Sequence, residues 1–216
     1  MTKQHFDHID TWVFDLDNTL YSPEIRLFDQ IEKRMTQFVM DIVGVDREEA
    51  NRLRTLYWRE HGTTLAGLMR VHGMAPDEYL VAVHDIDMAV LSPDTALRAR
   101  IDALPGRKII YTNGTAPYAA RVAAARGLEG AFDAIYGVEH AGYSPKPEAE
   151  AFRAVFEADG LTPGRAAMFE DDPRNLAVPH AMGLRCVHVA PSPLEQALPH
   201  VHYHTDDLSG FLMKLV

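Results

Sequence analysis

The stretch that most constrains this chain is Trp12-Val13-Phe14-Asp15-Leu16-Asp17-Asn18-Thr19-Leu20, an apolar run that stops at two aspartates one residue apart. β-Branched and aromatic residues precede the pair and a Ser22-Pro23 turn signal follows. The run therefore reads as a buried strand delivering carboxylates to its C-terminal end, in preference to a helix segment. Two carboxylates leaving one turn repel each other, so one needs a proton or a cation beside it. A hard, oxygen-liganded ion such as Mg²⁺ is the natural neutraliser. An ordinary polar turn after a strand would carry the same residues, so the rest of the chain has to decide.

From about Ser22 to Leu91 the pattern is helical. Leu27, Phe28, Ile31, Met35, Phe38, Val39 and Ile42 recur at helix spacing up to Gly44, and Asp46 with Glu49 reads as a capping box opening a second helix that Gly62 ends. Pro76 suits the first turn of a further helix. Strands and helices then alternate. Ser92-Pro93 opens a helix through Leu97 and Ile101, and Lys108–Tyr111 is a short strand ending at Thr112-Asn113-Gly114. Ala134–Gly137 is a weaker strand, and Pro147 begins a helix through Phe152 and Phe156. Ala166–Phe169 is a strand running into Glu170-Asp171-Asp172. A helical stretch kinked at Pro179 leads to the strand Leu184–Val189, and the tail is helical from an N-cap at Thr205. This alternation predicts an α/β fold, a doubly wound and mostly parallel sheet. Its core is made of residues 1–21 and 92–216, with 22–91 as a helical insertion.

A formal net charge of −10 argues against broad binding to nucleic acid polymers or anionic membranes. The single cysteine, Cys186, lies in an apolar run, reads as a buried structural thiol and fits a reducing cytoplasm. No apolar stretch reaches membrane-spanning length and Met1–Asp10 has no signal-peptide core, so the expectation is a soluble, unprocessed, cytoplasmic protein. His200, His202 and His204 alternate as on one face of a strand, but no carboxylate or cysteine completes a metal set with them.

Four polar clusters fall at strand ends or beside them: Asp15/Asp17, Thr112/Asn113, Lys146 between two prolines, and Glu170/Asp171. Open α/β sheets bind ligands beyond the carboxyl ends of their strands. Each cluster has an ordinary reading, as a turn, a solvated lysine or an acidic helix start. Together, and in this order, they supply what phosphoryl transfer through a covalent intermediate requires. One carboxylate attacks phosphorus and a second exchanges protons with leaving group and water. A metal would bridge the anions, while hydroxyl, amide and ammonium groups hold the phosphoryl oxygens.

Asp15-Leu16-Asp17-Asn18-Thr19-Leu20, Thr112-Asn113-Gly114, Lys146 and Glu170-Asp171-Asp172 resemble the four signature motifs of the haloacid-dehalogenase-like (HAD) hydrolase superfamily. The resemblance covers nearly the whole chain and implies a Rossmann-like core with 22–91 as its helical cap. It implies Asp15 as nucleophile and Mg²⁺ ligand, and Asp17 as general acid/base with its backbone carbonyl on the metal. Thr112, Asn113 and Lys146 would bind phosphate, Asp171 the metal directly, and Glu170 and Asn175 would support from a further layer. Asp172 stands where many relatives carry serine, which leaves its role open.

Within that superfamily, Trp12–Tyr21 and the stretch His61-Gly62-Thr63-Thr64-Leu65-Ala66-Gly67-Leu68 resemble the pyrimidine 5′-nucleotidase-like branch. That branch implies a pyrimidine nucleotide as the small phosphorylated metabolite, with His61, Thr63 and Thr64 facing it. On local chemistry alone the Gly-Thr-Thr turn is equally a helix stop followed by a threonine N-cap, and Tyr57 and Trp58 are equally cap core or base-stacking groups. Other readings are the same chemistry on a sugar phosphate or phosphoglycolate, a haloacid dehalogenase, or a non-catalytic phosphate-binding module. Asp17 and Glu170-Asp171 weigh against the dehalogenase, which needs no metal.

Overall fold

The computed structural model describes residues 2–216. Strand β1 (Thr11–Phe14) is followed by four helices, α1 (Leu27–Val43), α2 (Arg47–His61), α3 (Thr64–His72) and α4 (Pro76–His84). The alternating part follows: α5 (Thr95–Ala103), β2 (Arg107–Tyr111), α6 (Ala116–Ala125), β3 (Ala134–Tyr136), α7 (Ala149–Asp159), β4 (Ala166–Glu170), α8 (Ala177–Met182), β5 (Arg185–Val189), β6 (Tyr203–Thr205) and α9 (Leu208–Met213).

The six strands form one sheet in the order β3-β2-β1-β4-β5-β6, and every neighbouring pair is parallel. Strand β1 lies between β2 and β4, with Val13 level with Ile109 on one side and Met168 on the other. A parallel strand is covered on both faces, which is why all four residues of β1 are buried. Side chains alternate between faces, so Trp12 and Phe14 join one apolar cluster and Val13 the other. The Phe14 and Phe169 rings stack with centroids 4.8 Å apart. The strand order reverses direction at β1 and β4, and that switch point opens the crevice into which Asp15 and Glu170 run.

The helical block packs as its sequence pattern directs. In α1 the positions Leu27, Ile31 and Val39 are buried, and Gly67 of α3 lies so close to Tyr57 of α2 that a Cβ would come within 2.3 Å of its ring. No helix among the described residues is long and apolar enough to cross a membrane.

Several expected element ends move. Asp46 caps α2, but the Glu49 carboxylate pairs with Arg52 and does not return to Asp46, so the reciprocal half of the capping box is unmade. Helix α5 starts at Thr95 with Asp94 as its cap, not at Ser92-Pro93. Helix α7 starts at Ala149, two residues after Pro147. Pro179 makes no kink, because α8 begins at Ala177 and the proline occupies its first turn, where a missing N–H is harmless. Thr205 belongs to β6, and Asp207 caps α9 through the Gly210 N–H. His202 and His204 sit at the sheet edge and bond backbone groups, as does His200. The Cys186 thiol is buried and pushed up to about 12 by that burial.

Candidate active site

The chain beyond β1 turns at once, with the Asp15 N–H donating to Phe169 O (2.9 Å). The Asp15 carboxylate is thereby held in a buried position, 5% exposed, against the end of β4. Its Oδ1 accepts from Lys146 Nζ at 2.7 Å and its Oδ2 from the Thr19 hydroxyl at 3.2 Å. Lys146 reaches in from the loop between β3 and α7, and its ammonium also donates to Glu170 Oε2 (2.6 Å) and Tyr111 O (3.1 Å). Desolvation works against that buried charge, yet the two carboxylates outweigh it and hold the Lys146 pKa above its ordinary value.

Asn113 is committed to placing this lysine: its side-chain carbonyl accepts from the Lys146 N–H (2.8 Å) and its amide donates to Lys146 O (3.1 Å). The neighbouring Thr112 is buried, and its hydroxyl oxygen accepts from the Gly114 N–H at 3.0 Å. The Lys146 loop in turn carries the turn between α2 and α3. Gly62 there has φ +85°, a region that favours glycine, and a Cβ would sit 3.3 Å from Lys146 O.

Asp17 lies beside this centre in a different environment. Its Oδ1 accepts from two phenols, Tyr21 and Tyr118, each at 2.6 Å, while its Oδ2 takes no donor from the described residues. Burial raises the Asp17 pKa, and the two phenols and Lys146 oppose the rise. A carboxyl held in place yet inclined to keep a proton is suited to general acid work.

Asp15, Glu170 and Asp171 bring carboxylate oxygens within 4.8 Å of one another. One ammonium does not balance three carboxylates. Burial and Glu170 push Asp15 up to about 8, with Lys146 pulling against them, and burial, Glu170 and Asp15 push Asp171 up to about 10. Nearby, the buried Asn175 Oδ1 has no hydrogen-bond partner among the described residues. An excess of buried negative charge in an all-oxygen donor set fits a small divalent cation such as Mg²⁺.

Asp172 takes a definite part. Its carboxylate caps the turn at Pro173–Leu176 through the Arg174 N–H and grips the Arg174 guanidinium at 2.6 Å. That guanidinium lies 3.5 Å over the Trp58 ring of α2.

A cavity of about 700 Å³ opens from Asp17, Asn113, Lys146 and Asn175 toward the helical block. Thr63 and Thr64 line it and His61 does not. The Thr63 hydroxyl accepts from the Ala66 N–H as the N-cap of α3. Tyr57 is buried and bonded to His72, whereas Trp58 is 47% exposed. Sequence reasoning missed Tyr118 and Arg174 altogether. Tyr118 follows the Thr112-Asn113-Gly114 loop as the third residue of α6, a position that carries no signal of its own.

A family model described as haloacid dehalogenase-like hydrolase matches residues 9–183. Among curated proteins, "Phosphate metabolism protein 8" of Saccharomyces cerevisiae is 27% identical over 179 residues, covering 74% of this chain and 54% of that protein. The chain thus spans about half the length of that relative. Among solved structures, YfnB from Bacillus subtilis, bound to magnesium, aligns with a TM-score of 0.60 at 17% identity, covering 96% of this chain and 98% of that one. CbbY from Rhodobacter sphaeroides in complex with phosphate aligns with a TM-score of 0.65 at 20% identity, covering 93% and 95%. At such identities the structures share the fold.

Proposed function

Because the chain belongs to the haloacid dehalogenase-like hydrolase family, we propose that it is a Mg²⁺-dependent phosphatase. Its substrate in this reading is a small phosphomonoester, most favourably a pyrimidine nucleoside 5′-monophosphate. The observation that carries the reading is the buried Lys146 ammonium bridging Asp15 and Glu170, with Asp171 alongside and a second carboxylic acid, Asp17, next to them. A haloacid dehalogenase would have no use for the additional carboxylates. The magnesium in YfnB and the phosphate in CbbY are consistent with the same chemistry on this fold.

In this mechanism an Asp15 carboxylate oxygen attacks phosphorus while the bond from phosphorus to the ester oxygen breaks, giving an aspartyl-phosphate. The Asp17 carboxylic acid donates its proton to the departing alkoxide. Asp17, now ionised, takes a proton from water as that water attacks phosphorus, and inorganic phosphate leaves with Asp15 restored. Lys146 steadies the nucleophile and phosphoryl oxygens, and the Thr112 hydroxyl and the Asn113 backbone N–H donate to those oxygens. Asp15, Asp171 and the Asp17 carbonyl would hold Mg²⁺, with Glu170 and Asn175 supporting it; when bound, the ion neutralises charge between carboxylates and phosphate. Residues 22–91 act as the cap over the core of 1–21 and 92–216, and Thr63 and Thr64 face the substrate from it.

The test is phosphate release from UMP, CMP, dUMP, dTMP, AMP, GMP, sugar phosphates and phosphoglycolate, with Mg²⁺ and with EDTA. EDTA-sensitive release concentrated on the pyrimidine monophosphates is the expected result. Release concentrated on sugar phosphates or phosphoglycolate would keep the mechanism and replace the substrate. No release from any of them would remove the phosphatase reading.

A further inference from the structure

Strand β5 carries an imidazole, His188, between Val187 and Val189, and only 3% of it is exposed. The register sets His188 level with Glu170 of β4 on one side and His204 of β6 on the other. Residues level with one another share a face of the sheet, so His188 stands beside the carboxylate centre at the strand ends.

Its hydrogen bond goes to the backbone there, with Nε2 lying 2.9 Å from Asp171 O. A carbonyl oxygen only accepts, so Nε2 carries the hydrogen and donates it. Nδ1 is buried and has no partner among the described residues. An unmatched buried polar atom is unfavourable, which makes the imidazole a poor way of merely filling space in an apolar strand. What distinguishes it from an apolar side chain is the one bond it makes.

That bond bears on how Asp171 is aimed. The peptide unit joining Asp171 to Asp172 is held at both of its polar atoms: its carbonyl by His188, and its N–H by Glu170 Oε1 at 3.2 Å. A peptide unit is planar, so fixing its oxygen and its hydrogen fixes the plane. The plane starts at Asp171 Cα and constrains the direction in which the Asp171 side chain leaves. Asp171 Oδ2 then meets Asn18 Nδ2 at 3.4 Å, and the carboxylate comes within 4.8 Å of those of Asp15 and Glu170. Without His188, the first peptide past β4 would be gripped on one side only.

We propose that His188 is a positioning residue for the cation site: it orients Asp171 as a Mg²⁺ ligand through the Asp171 carbonyl and touches neither ion nor substrate. The inference deepens the phosphatase reading and rests on it for the identity of the ion. Groups that orient metal ligands from behind contribute about 10–100-fold in affinity.

The test is Mg²⁺ binding to the folded protein by calorimetry, with phosphate release measured against Mg²⁺ concentration beside it. His188→Leu removes the donor. His188→Gln supplies one again, because its amide nitrogen lies as many bonds from Cα as Nε2 does, whereas the amide of His188→Asn stops one bond short. His204→Leu is the control, since His204 bonds Ala190 O on the same sheet edge and makes no hydrogen bond to the centre. The expected result is Mg²⁺ affinity about tenfold weaker in His188→Leu and His188→Asn, largely recovered in His188→Gln and unchanged in His204→Leu. The Mg²⁺ concentration for half-maximal activity rises in step, while kcat at saturating Mg²⁺ changes little. Undiminished affinity in the Leu and Asn variants, an equal fall in His204→Leu, or no recovery in His188→Gln would overturn the inference. Loss of the folded state in both His188→Leu and His188→Asn would overturn it too, by giving the imidazole a purely structural role. Mg²⁺ binding that depends on His188 in this way, with no phosphate released from any ester, would uphold it and remove the phosphatase reading. Phosphate release undisturbed by EDTA, with no Mg²⁺ bound by the wild type, would overturn it while a phosphatase remained.

Discussion

The Arg174 guanidinium lies over the Trp58 indole, 3.5 Å from its ring centre, and joins the loop after β4 to helix α2. Asp172 fixes that geometry by gripping the same guanidinium at 2.6 Å. Trp58 is 47% exposed, so the stack is worth about 0.5–1 kcal/mol. Both residues line the cavity. Trp58→Ala therefore lowers stability in urea unfolding by no more than about 1 kcal/mol, yet raises KM severalfold by opening a wall. Asp172→Ala, which frees Arg174, raises KM in the same direction. Unchanged KM in both variants would show that this contact has no part in holding substrate.

Asp15→Asn abolishes turnover without unfolding the chain. In the absence of a cation burial and Glu170 push the Asp15 carboxyl up to about 8, against an unfolded value near 3.9. A carboxyl whose folded pKa is raised costs stability above its unfolded pKa, and the penalty grows until pH passes the folded value. An amide removes that penalty. In EDTA at neutral pH the variant is consequently at least as stable as the wild type, which thermal unfolding measures. Near-normal phosphate release from a folded Asp15→Asn protein would exclude Asp15 as nucleophile.

The sheet and the carboxylate centre were legible because their signals are local. Apolar runs of strand length stop at charged or hydroxyl residues, and parallel strands place those stops along one edge. Element ends were less legible where two capping residues lie close together: Thr205 and Asp207 both precede an apolar helix, and only the pairing of β6 with β5 decides for Asp207. Pro179 looked like a kink because its effect depends on where the helix begins. The cavity left no trace at all: Arg54 and Tyr79, which line it, occupy ordinary helical positions, and the space arises only when α1, α2 and α4 come together. Asp172, an unexplained acid in the sequence, acquires a partner two residues away once the turn at Pro173 folds.

Tyr118→Phe tests how Asp17 is held. Two phenols share one oxygen of Asp17, each at 2.6 Å, and deleting one leaves the carboxyl tethered only by Tyr21. Such a bond contributes about 0.5–1.5 kcal/mol to the neutral acid and about 1.5–3 kcal/mol once Asp17 is ionised. The expected outcome is a fall in kcat of about tenfold or more with KM little changed, since the phenol touches the proton donor and not the phosphate site. A change confined to KM would place Tyr118 in substrate binding instead.

His84, the last residue of α4, stacks on Tyr118 with ring centroids 4.2 Å apart. Burial first, and then Arg121, push its pKa down to about 4. A histidine depressed in the folded state contributes its full stability above its unfolded pKa of about 6.5 and loses it as pH falls toward 4. Between pH 7.5 and pH 5 that amounts to about 2 kcal/mol. Urea unfolding of His84→Phe, which keeps a stacked ring without a titrating group, should show a pH dependence shallower by about that amount. An identical pH dependence in variant and wild type would mean that His84 protonates freely in the folded protein.

Lys146 is the one ammonium among the described residues bonded to the carboxylate centre, and the side chain is only 1% exposed. Replacing it with methionine fills the same space but leaves Asp15 and Glu170 without their cation. Removing one partner of a buried pair costs about 3–5 kcal/mol, because the charge left behind is neither hydrated nor matched. Lys146→Met should lose activity and, in EDTA, a comparable share of stability. Adding Glu170→Gln removes one of the stranded charges, and the double variant recovers stability while remaining inactive. Urea unfolding of the single and double variants measures this. A double variant no more stable than Lys146→Met would show that the lysine contributes through packing and not through charge.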